Sequence, residues 1–548
     1  MKFQNVAIVV GVLGITVLGF QNCSNVAFDA EETVSASSDP KAEEPTKVPP
    51  VCQEITAAAV KPLLMYSWDY KTDVEPNFKQ VMSAPAVGDL NGDKVPEIVF
   101  ASYADGDYTG KGVLRILNGA TGMTEFSISD EDRRPFASTS PLLIDIDGDG
   151  KAEIVYIHYL GKKVIALNSD GSLRWTQDLD FSGTSLTALK SCLQSFSAAD
   201  LDNDGKAEII ASSWIIAEDE NKQPRIRARL ADVNDLCFSF AANLEASATS
   251  EMRIIGYAGV MDKNGRFLWK YLRPGIPATA NLLPEVDGSE VVVSGSGYLT
   301  IYNGLTGAVI ADNKLNEHSD LICRVDAAGN GVVGGGQPTI GDFDGDATTL
   351  EIAVATGKSL TIFDRNGKKI AGSVTQDCSS LVTGITSFDF NGDGKPEIIY
   401  ADEQYVRIFG MDGSNNLQVI WQEINPSGTL REYPVVADVN GDGYAELVVV
   451  ANNMWVDSNN IYQTPEQKDL ARPVTGLRVF GPTVPKSWMP TRAVWNQVAY
   501  MASNVTDDLK ATASTLINGN FGSFFKRNTQ KGLFENTCDK VEVPTKDL

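Results

Sequence analysis

Histidine is almost absent from this 548-residue chain, with His158 and His318 the only two. The seven cysteines include no Cys-x-x-Cys pair. Zinc sites and thiol redox centres draw on those residues at close spacing, so neither is expected to carry the function. Basic residues are also in short supply. Lys and Arg total 46 against 71 Asp and Glu, the net charge is -25, and no basic stripe stands out. Binding a phosphate backbone needs clustered cations, which speaks against nucleic acid as a partner. Long apolar runs are missing, with one exception: Lys2 is followed by an apolar and glycine run from Val6 to Phe20, broken only by Thr16. That run is too short for a comfortable membrane span, and its charged start reads as an export signal over residues 1–22.

What is present supports export. Cys23 closes the apolar run, where it resembles the lipid-modified cysteine of a bacterial lipoprotein, with Asn22 in place of the usual small residue. An outer-membrane or cell-surface lipoprotein is the expectation, touching the membrane through its lipid alone, and plain secretion is the alternative. Residues 23–50 are rich in Ala, Glu, Ser, Thr and Pro and read as a disordered tether. Six cysteines then remain: Cys52, Cys192, Cys237, Cys323, Cys378 and Cys538. An even number in an exported chain fits up to three disulfides.

One acidic pattern recurs. It reads Asp89-Leu-Asn91-Gly-Asp93-Lys-Val95-Pro-Glu97, then Asp145, Asp147, Asp149, Lys151, Glu153 at the same spacing. Further copies place Asp200, Asp202, Asp204, Lys206 and Glu208; Asp389, Asn391, Asp393, Lys395 and Glu397; and Asp438, Asn440, Asp442, Tyr444 and Glu446. A sixth copy, Asp342, Asp344 and Asp346, has one extra residue before Glu351. A seventh stretch, Leu283-Pro-Glu285-Val-Asp287-Gly-Ser-Glu290, keeps the place but has lost most of the oxygen-bearing residues.

This spacing suits calcium. Side-chain oxygens at the first, third and fifth positions of a tight loop converge, and a carbonyl at the seventh and a carboxylate at the ninth complete a hard-oxygen shell. Glycine at the fourth or sixth position permits the turn. A single copy is equally well read as an acidic surface turn. Six in register, each followed by a β-rich run such as Glu97-Ile-Val-Phe or Glu446-Leu-Val-Val-Val, favour about six structural calcium ions. An EF-hand differs in having helical flanks and its acid at the twelfth position.

A second element follows each loop and strand. Gly-containing turns at Leu117–Gly122, Asn168–Gly171, Asp262–Gly265, Asn303–Gly307, Asp364–Gly367 and Met411–Gly413 read as hairpins, and strands bearing Trp175, Trp269 or Trp421 come after three of them. Four antiparallel strands per unit, A to D, repeated about seven times, describe a β-propeller. With lead-ins such as Ala86-Val-Gly-Asp89 and Thr339-Ile-Gly-Asp342, the loops resemble the FG-GAP or VCBS repeat family, the propeller type of integrin α-subunit heads and many bacterial surface proteins. The resemblance implies an all-β, seven-bladed propeller over residues 51–482. A calcium loop is expected between strands A and B of six blades.

The last unit lacks a strand D, and Leu63–Trp68 looks like a spare one, so the N-terminal segment is expected to close the ring. Residues 483–548 form an extension, in which Pro490–Tyr500 is expected to brace the propeller. Strand alternation puts the A–B loops and C–D turns on one face. The long stretches 102–111, 181–194, 214–252, 316–336 and 452–474 fall on the other. The pairings expected from this layout are Cys52–Cys538, Cys192–Cys237 and Cys323–Cys378. Function is expected to be binding or adhesion through the long-loop face, toward an extracellular protein or glycan, with no catalytic residues. A polysaccharide-acting lyase or hydrolase and a structural envelope component remain the alternatives.

Overall fold

In the computed structural model, residues 60–180, 195–211, 213–231, 238–245, 251–315, 323–325, 331–430, 432–453, 474–502 and 504–512 are described. The expected positions 1–59, with the export signal, Cys23 and Cys52, lie outside them, as do Cys192, Cys237, His318 and Cys538. No helix among the described residues is long and apolar enough to cross a membrane. Apart from one 3-10 turn at Tyr70–Thr72, the named elements are strands.

Eight four-stranded antiparallel sheets form the propeller, numbered in chain order as blades one (86–128), two (142–178), three (196–229), four (240–270), five (276–314), six (339–374), seven (386–424) and eight (435–482 with 62–67), each built as A–B–C–D from the inside outward. Strands B and C are sandwiched between neighbouring blades, so they read as unbroken apolar runs. Glu97–Tyr103 and Glu153–Ile157 are buried at every position. Strand D is the exposed edge and alternates, as in Leu173–Asp178, where Trp175 is the buried residue. In blades one to seven the C–D pairing slips by one residue close to the turn, for example between Ile116 and Leu117 and between Ile362 and Phe363. Such a bulge adds local twist to the outer half of each blade.

The blade count corrects the expectation of seven. Residues 196–270 hold two blades where the repeat shows one. Blade three continues from Glu208–Ala211 almost directly into strand C, Trp214–Glu218, and strand D, Pro224–Arg229. Blade four follows as Phe240–Ala242, Arg253–Ile255, Gly259–Met261 and Phe267–Lys270. The stretch 214–252 is therefore no insertion. It holds strands C and D of blade three and strand A of blade four, and the connection from Asn243 to Met252 joins an A to a B strand. The hidden blade lacks an aspartate ladder, and its strand B starts with Arg253 where every other blade has glutamate. Arg253 pairs instead with Glu245 at 3.2 Å and Glu251 at 3.6 Å.

Closure follows the expected route. Pro62–Ser67 pairs antiparallel with Gly476–Pro482 and supplies strand D of blade eight. The indole of Trp68 is buried just beyond it, and its backbone N–H donates to the Leu477 carbonyl at 2.9 Å. The chain next passes the fully buried Arg115, which pairs with Asp73 at 2.9 Å, donates to Ser102 Oγ at 3.0 Å and lies over the Trp68 ring. On the long-loop face, the D–A connections into blades six and seven are joined by the Cys323–Cys378 disulfide. That pairing is the expected one.

Residues 488–512 run across the innermost strands. Trp495 exchanges two backbone hydrogen bonds with Val87 (2.8 and 2.9 Å), and the Asn496 carbonyl accepts from Leu143 N–H. The Arg492 and Leu509 carbonyls accept from the N–H groups of Asp438 and Asp145, the first residues of two acidic loops. Trp495 and Tyr500 stack face to face with centroids 4.5 Å apart, both fully buried. The segment thus ties the inner strands of blades one, two and eight together.

Replacing Asp73 with Ala leaves the Arg115 guanidinium buried without its carboxylate. The expected cost is about 3–5 kcal/mol, as for other broken buried pairs. A urea midpoint within error of wild type would show that the serine contacts alone satisfy Arg115.

Candidate metal centres and the opposite face

All six acidic loops lie between strands A and B, on one face. Their backbone follows from short-range hydrogen bonds. The first aspartate accepts from N–H groups three to five residues on: Gly92 and Lys94 to Asp89 (2.7 and 3.0 Å), and Gly392 and Gly394 to Asp389 (2.7 and 2.9 Å). The third residue accepts from the fifth, and the fifth from the seventh, as in Asp393 N–H to Asn391 (2.9 Å) and Lys395 N–H to Asp393 (2.8 Å). Five of the six loops have positive φ at the sixth position, where Gly394 has 90° and Lys94, in the first loop, has 72°, whereas the loop at Asp342 turns at its fourth, where Gly345 has 85°.

The ninth-position glutamate opens strand B and is buried in every copy. Its Oε2 accepts the N–H of the loop's second residue. Leu90 donates to Glu97 at 2.7 Å, Ile146 to Glu153 at 2.9 Å, Leu201 to Glu208 at 2.8 Å and Phe343 to Glu351 at 2.9 Å. Phe390 donates to Glu397 at 2.9 Å and Val439 to Glu446 at 3.0 Å. The degenerate stretch keeps this bond, since Leu282 and Leu283 donate to Glu290 Oε2 at 2.8 and 3.1 Å. Glu290 therefore holds the corner of blade five without the aspartates. Burial pushes Glu97, Glu153, Glu397 and Glu446 up to about 8, and Glu208, Glu290 and Glu351 to about 7.

The other glutamate oxygen distinguishes the loops. Where the third residue is asparagine, its amide donates to Oε1: Asn91 to Glu97 and Asn440 to Glu446 at 2.8 Å, and Asn391 to Glu397 at 2.9 Å. Where it is aspartate, three carboxylates come within 4.8 Å of one another: Asp145, Asp147 and Glu153; Asp200, Asp202 and Glu208; Asp342, Asp344 and Glu351. In the last of these Thr349 donates to Glu351 Oε1 at 3.2 Å. In the other two an arginine intervenes. Arg174 reaches Asp147 Oδ2 at 2.6 Å and Glu153 Oε1 at 3.0 Å, and Arg227 reaches Asp202 Oδ2 at 2.8 Å and Glu208 Oε1 at 2.6 Å.

A donor set made wholly of carboxylate, amide and carbonyl oxygen suits calcium rather than a softer metal. The loops starting at Asp89, Asp342, Asp389 and Asp438 offer such donors, with Val95, Lys395 and Tyr444 at the seventh position, where a carbonyl would ligate. The seventh-position Lys151 and Lys206 belong to the two loops whose oxygens meet an arginine. Sequence reasoning missed Arg174, Arg227 and the partners Glu218 and Lys222 in blade three. Their only signal was a cluster of cations in outer strands of an acidic chain.

The opposite face carries a second acidic group beside the disulfide. Asp377, Asp402, Glu403 and Glu432 are all buried there. Asp377 accepts from the Thr429 and Ser380 hydroxyls, Glu403 from Ser379 N–H at 2.5 Å, and Glu432 from Leu430 N–H at 2.8 Å and the Ser427 hydroxyl. Arg407 pairs with Asp402. The Thr429 bond to Asp377 joins the D–A connections into blades seven and eight, and Glu403, in the B–C turn of blade seven, holds the first of them through Ser379. Burial, with Asp377 adding repulsion, pushes Glu432 up to about 7. The described histidine is structural, since His158 Nε2 meets the Glu131 carbonyl at 2.9 Å and Nδ1 accepts from Leu160.

Two outcomes are expected. Excess chelator lowers the melting temperature, because each site occupied at one hundred times its Kd contributes about 2.7 kcal/mol. Asp389→Ala then costs more in calcium than Asp287→Ala, and equal losses would mean the degenerate loop also binds. The second outcome concerns pH. Glu432 titrates higher folded than unfolded, so its ionisation penalises the fold as pH rises from the ordinary carboxylate range through about 7. Glu432→Gln should therefore raise the melting temperature at pH above about 8 and lose that advantage near pH 5, near and below which the wild-type group is largely protonated in the fold. A gain independent of pH would refute this.

Residues 145–211 and 389–449 match the FG-GAP-like repeat. Among curated proteins no sequence matches this chain. Of solved structures, the V. cholerae biofilm matrix protein Bap1 is similar over 86% of this chain and 99% of its own, with 19% identity and a TM-score of 0.68. The exotype rhamnogalacturonan lyase YesX is similar over 73% of this chain and 72% of its own, with 16% identity and a TM-score of 0.51. The rhamnogalacturonan lyase YesW is similar over 74% of this chain and 72% of its own, with 16% identity and a TM-score of 0.50. At these identities the likeness is one of fold. The chain carries FG-GAP-like repeats on an eight-bladed β-propeller.

Proposed function

We propose that this is an exported, calcium-stabilised binding or adhesion protein that recognises an extracellular glycan or protein with the face opposite the acidic loops. The observation that carries the reading is the Cys323–Cys378 bridge between two neighbouring D–A connections. It lies beside the buried nest around Asp377, so that part of the face is set before any ligand arrives, and preorganisation of this kind lowers the cost of binding. The disulfide also favours an oxidising compartment. Anchoring through a lipid on Cys23, with release as a secreted protein as the alternative, belongs to the same reading. A matrix role is supported by analogy of fold with the biofilm matrix protein, which is a weaker warrant than a site.

A second reading, a polysaccharide-acting enzyme, is favoured by the fold shared with two rhamnogalacturonan lyases. The buried carboxylates near Cys378 count against it, because their oxygens are engaged by neighbouring hydroxyl and N–H groups.

A glycan array probed with the full chain tests the proposal. Calcium-dependent retention on a subset of glycans, with no product released, is expected. Cys378→Ser should weaken that retention roughly tenfold, a loss of about 1.4 kcal/mol. Release of unsaturated fragments from rhamnogalacturonan would establish the enzyme reading instead. Silence toward glycans and cell surfaces by a folded, calcium-loaded protein would overturn the binding role.

A further inference from the structure

The six loops share one backbone design, yet two meet an arginine at the oxygens an ion would use. In the loop at Asp145, Glu153 Oε2 is engaged by Ile146 N–H and Asp147 Oδ1 by Asp149 N–H. The remaining oxygens, Glu153 Oε1 and Asp147 Oδ2, are the ones that Arg174 contacts, at 3.0 and 2.6 Å. The same guanidinium is held from behind by Glu218 of blade three, its Nε 2.5 Å from Oε1 and its Nη2 2.8 Å from Oε2. Lys222 of that blade adds a second cation at Asp147. Trp175 N–H also donates to Glu218 at 2.6 Å, which fixes the carboxylate that orients Arg174.

The loop at Asp200 repeats the arrangement from its own blade. Leu201 N–H engages Glu208 Oε2, and Arg227 takes Glu208 Oε1 at 2.6 Å and Asp202 Oδ2 at 2.8 Å. The two arginines stand at different places, one at the second residue of strand Leu173–Asp178 and the other at the fourth of Pro224–Arg229. Two strand positions thus deliver a guanidinium to the same pair of oxygens. In the four other loops the donor to glutamate Oε1 is neutral, an asparagine amide or the Thr349 hydroxyl.

We propose that Arg174 and Arg227 are built-in cations that take the place of calcium in the loops of blades two and three, so that the ion is confined to the four loops starting at Asp89, Asp342, Asp389 and Asp438. A divalent ion entering either arginine-filled loop has to break a charge-assisted hydrogen bond to the glutamate and an ion pair to the aspartate, and leave a partly buried guanidinium opposite a second positive charge, and both effects oppose binding. Blades two and three then keep their corners in the absence of calcium, and Arg174 also locks the boundary between them. The inference rests on the calcium reading for the other four loops.

Native mass spectrometry of the full chain at saturating calcium counts the ions. Wild type is expected to take up four. Arg174→Met and Arg227→Met should each take up one more, and the difference in melting temperature between calcium and chelator should widen in both. Two variants in separate blades keep the test open if one fails to fold, and Arg225→Met, on an exposed residue of the same strand as Arg227, serves as the unchanged control. Six ions on wild type, with no gain in either variant, would overturn this proposal while leaving the calcium reading standing. No ion on wild type or on either variant would overturn both. Equal destabilisation of the variants with and without calcium, at an unchanged ion count, would reduce the arginines to ordinary packing.

Discussion

The bond from the second residue of each acidic loop to the buried ninth-position glutamate is the constraint on which the propeller depends. It joins the end of strand A to the start of strand B, and strand A is only three to five residues long. So short a strand has few ladder bonds of its own, and without the glutamate its register against strand B would be weakly held. Seven blades use this bond, including blade five, where the aspartates are gone. The aspartates and any ion they hold are therefore built onto a corner that the glutamate already defines. What the ion or the arginine supplies is compensation for carboxylates that burial and mutual repulsion would otherwise drive toward protonation.

Blade four meets the same mechanical need with reversed charge. Arg253 opens its strand B and reaches acidic residues in the A–B connection. The exchange shows that the corner needs an ionic or hydrogen-bonded tie, and that the sign of the anchor is open. It also places the one blade without a glutamate directly after the two whose acidic loops carry arginines. Blades two to four form a sector held by internal cations, and the sector from blade six through blade one carries the loops that fit calcium.

The first and the last described segments both enter the ring. Pro62–Ser67 completes blade eight, and the segment 488–512 bonds to the inner strands of blades one, two and eight. Because the tail's carbonyls accept from the first aspartates at Asp145 and Asp438, the acidic-loop face is also the face where the tail is fastened. On the other side the disulfide joins the D–A connections into blades six and seven, and the Thr429 bond to Asp377 joins those into blades seven and eight.

Much of this was legible in the chain itself. The Asp-x-Asn/Asp-x-Asp ladder with its glutamate marked the A–B corners, the strand after each corner was apolar throughout because it is covered on both faces, and Leu63–Trp68 showed the composition of a strand D lacking a blade. Alternation of strand direction was enough to place Cys323 and Cys378 on one face in adjacent blades. Blade four was not legible, because its strands are three or four residues long and its corner carries Arg253 where the repeat has an acid. Nor could spacing reveal Arg174 or Arg227, which lie 21 and 19 residues from the glutamates they pair with. Local pattern determines how each blade is built. Which cation answers which carboxylate is decided when the four strands of a blade pair, since only then does a side chain on strand D meet the oxygens of the A–B corner, and Glu218 fixes Arg174 only when blade three stands beside blade two.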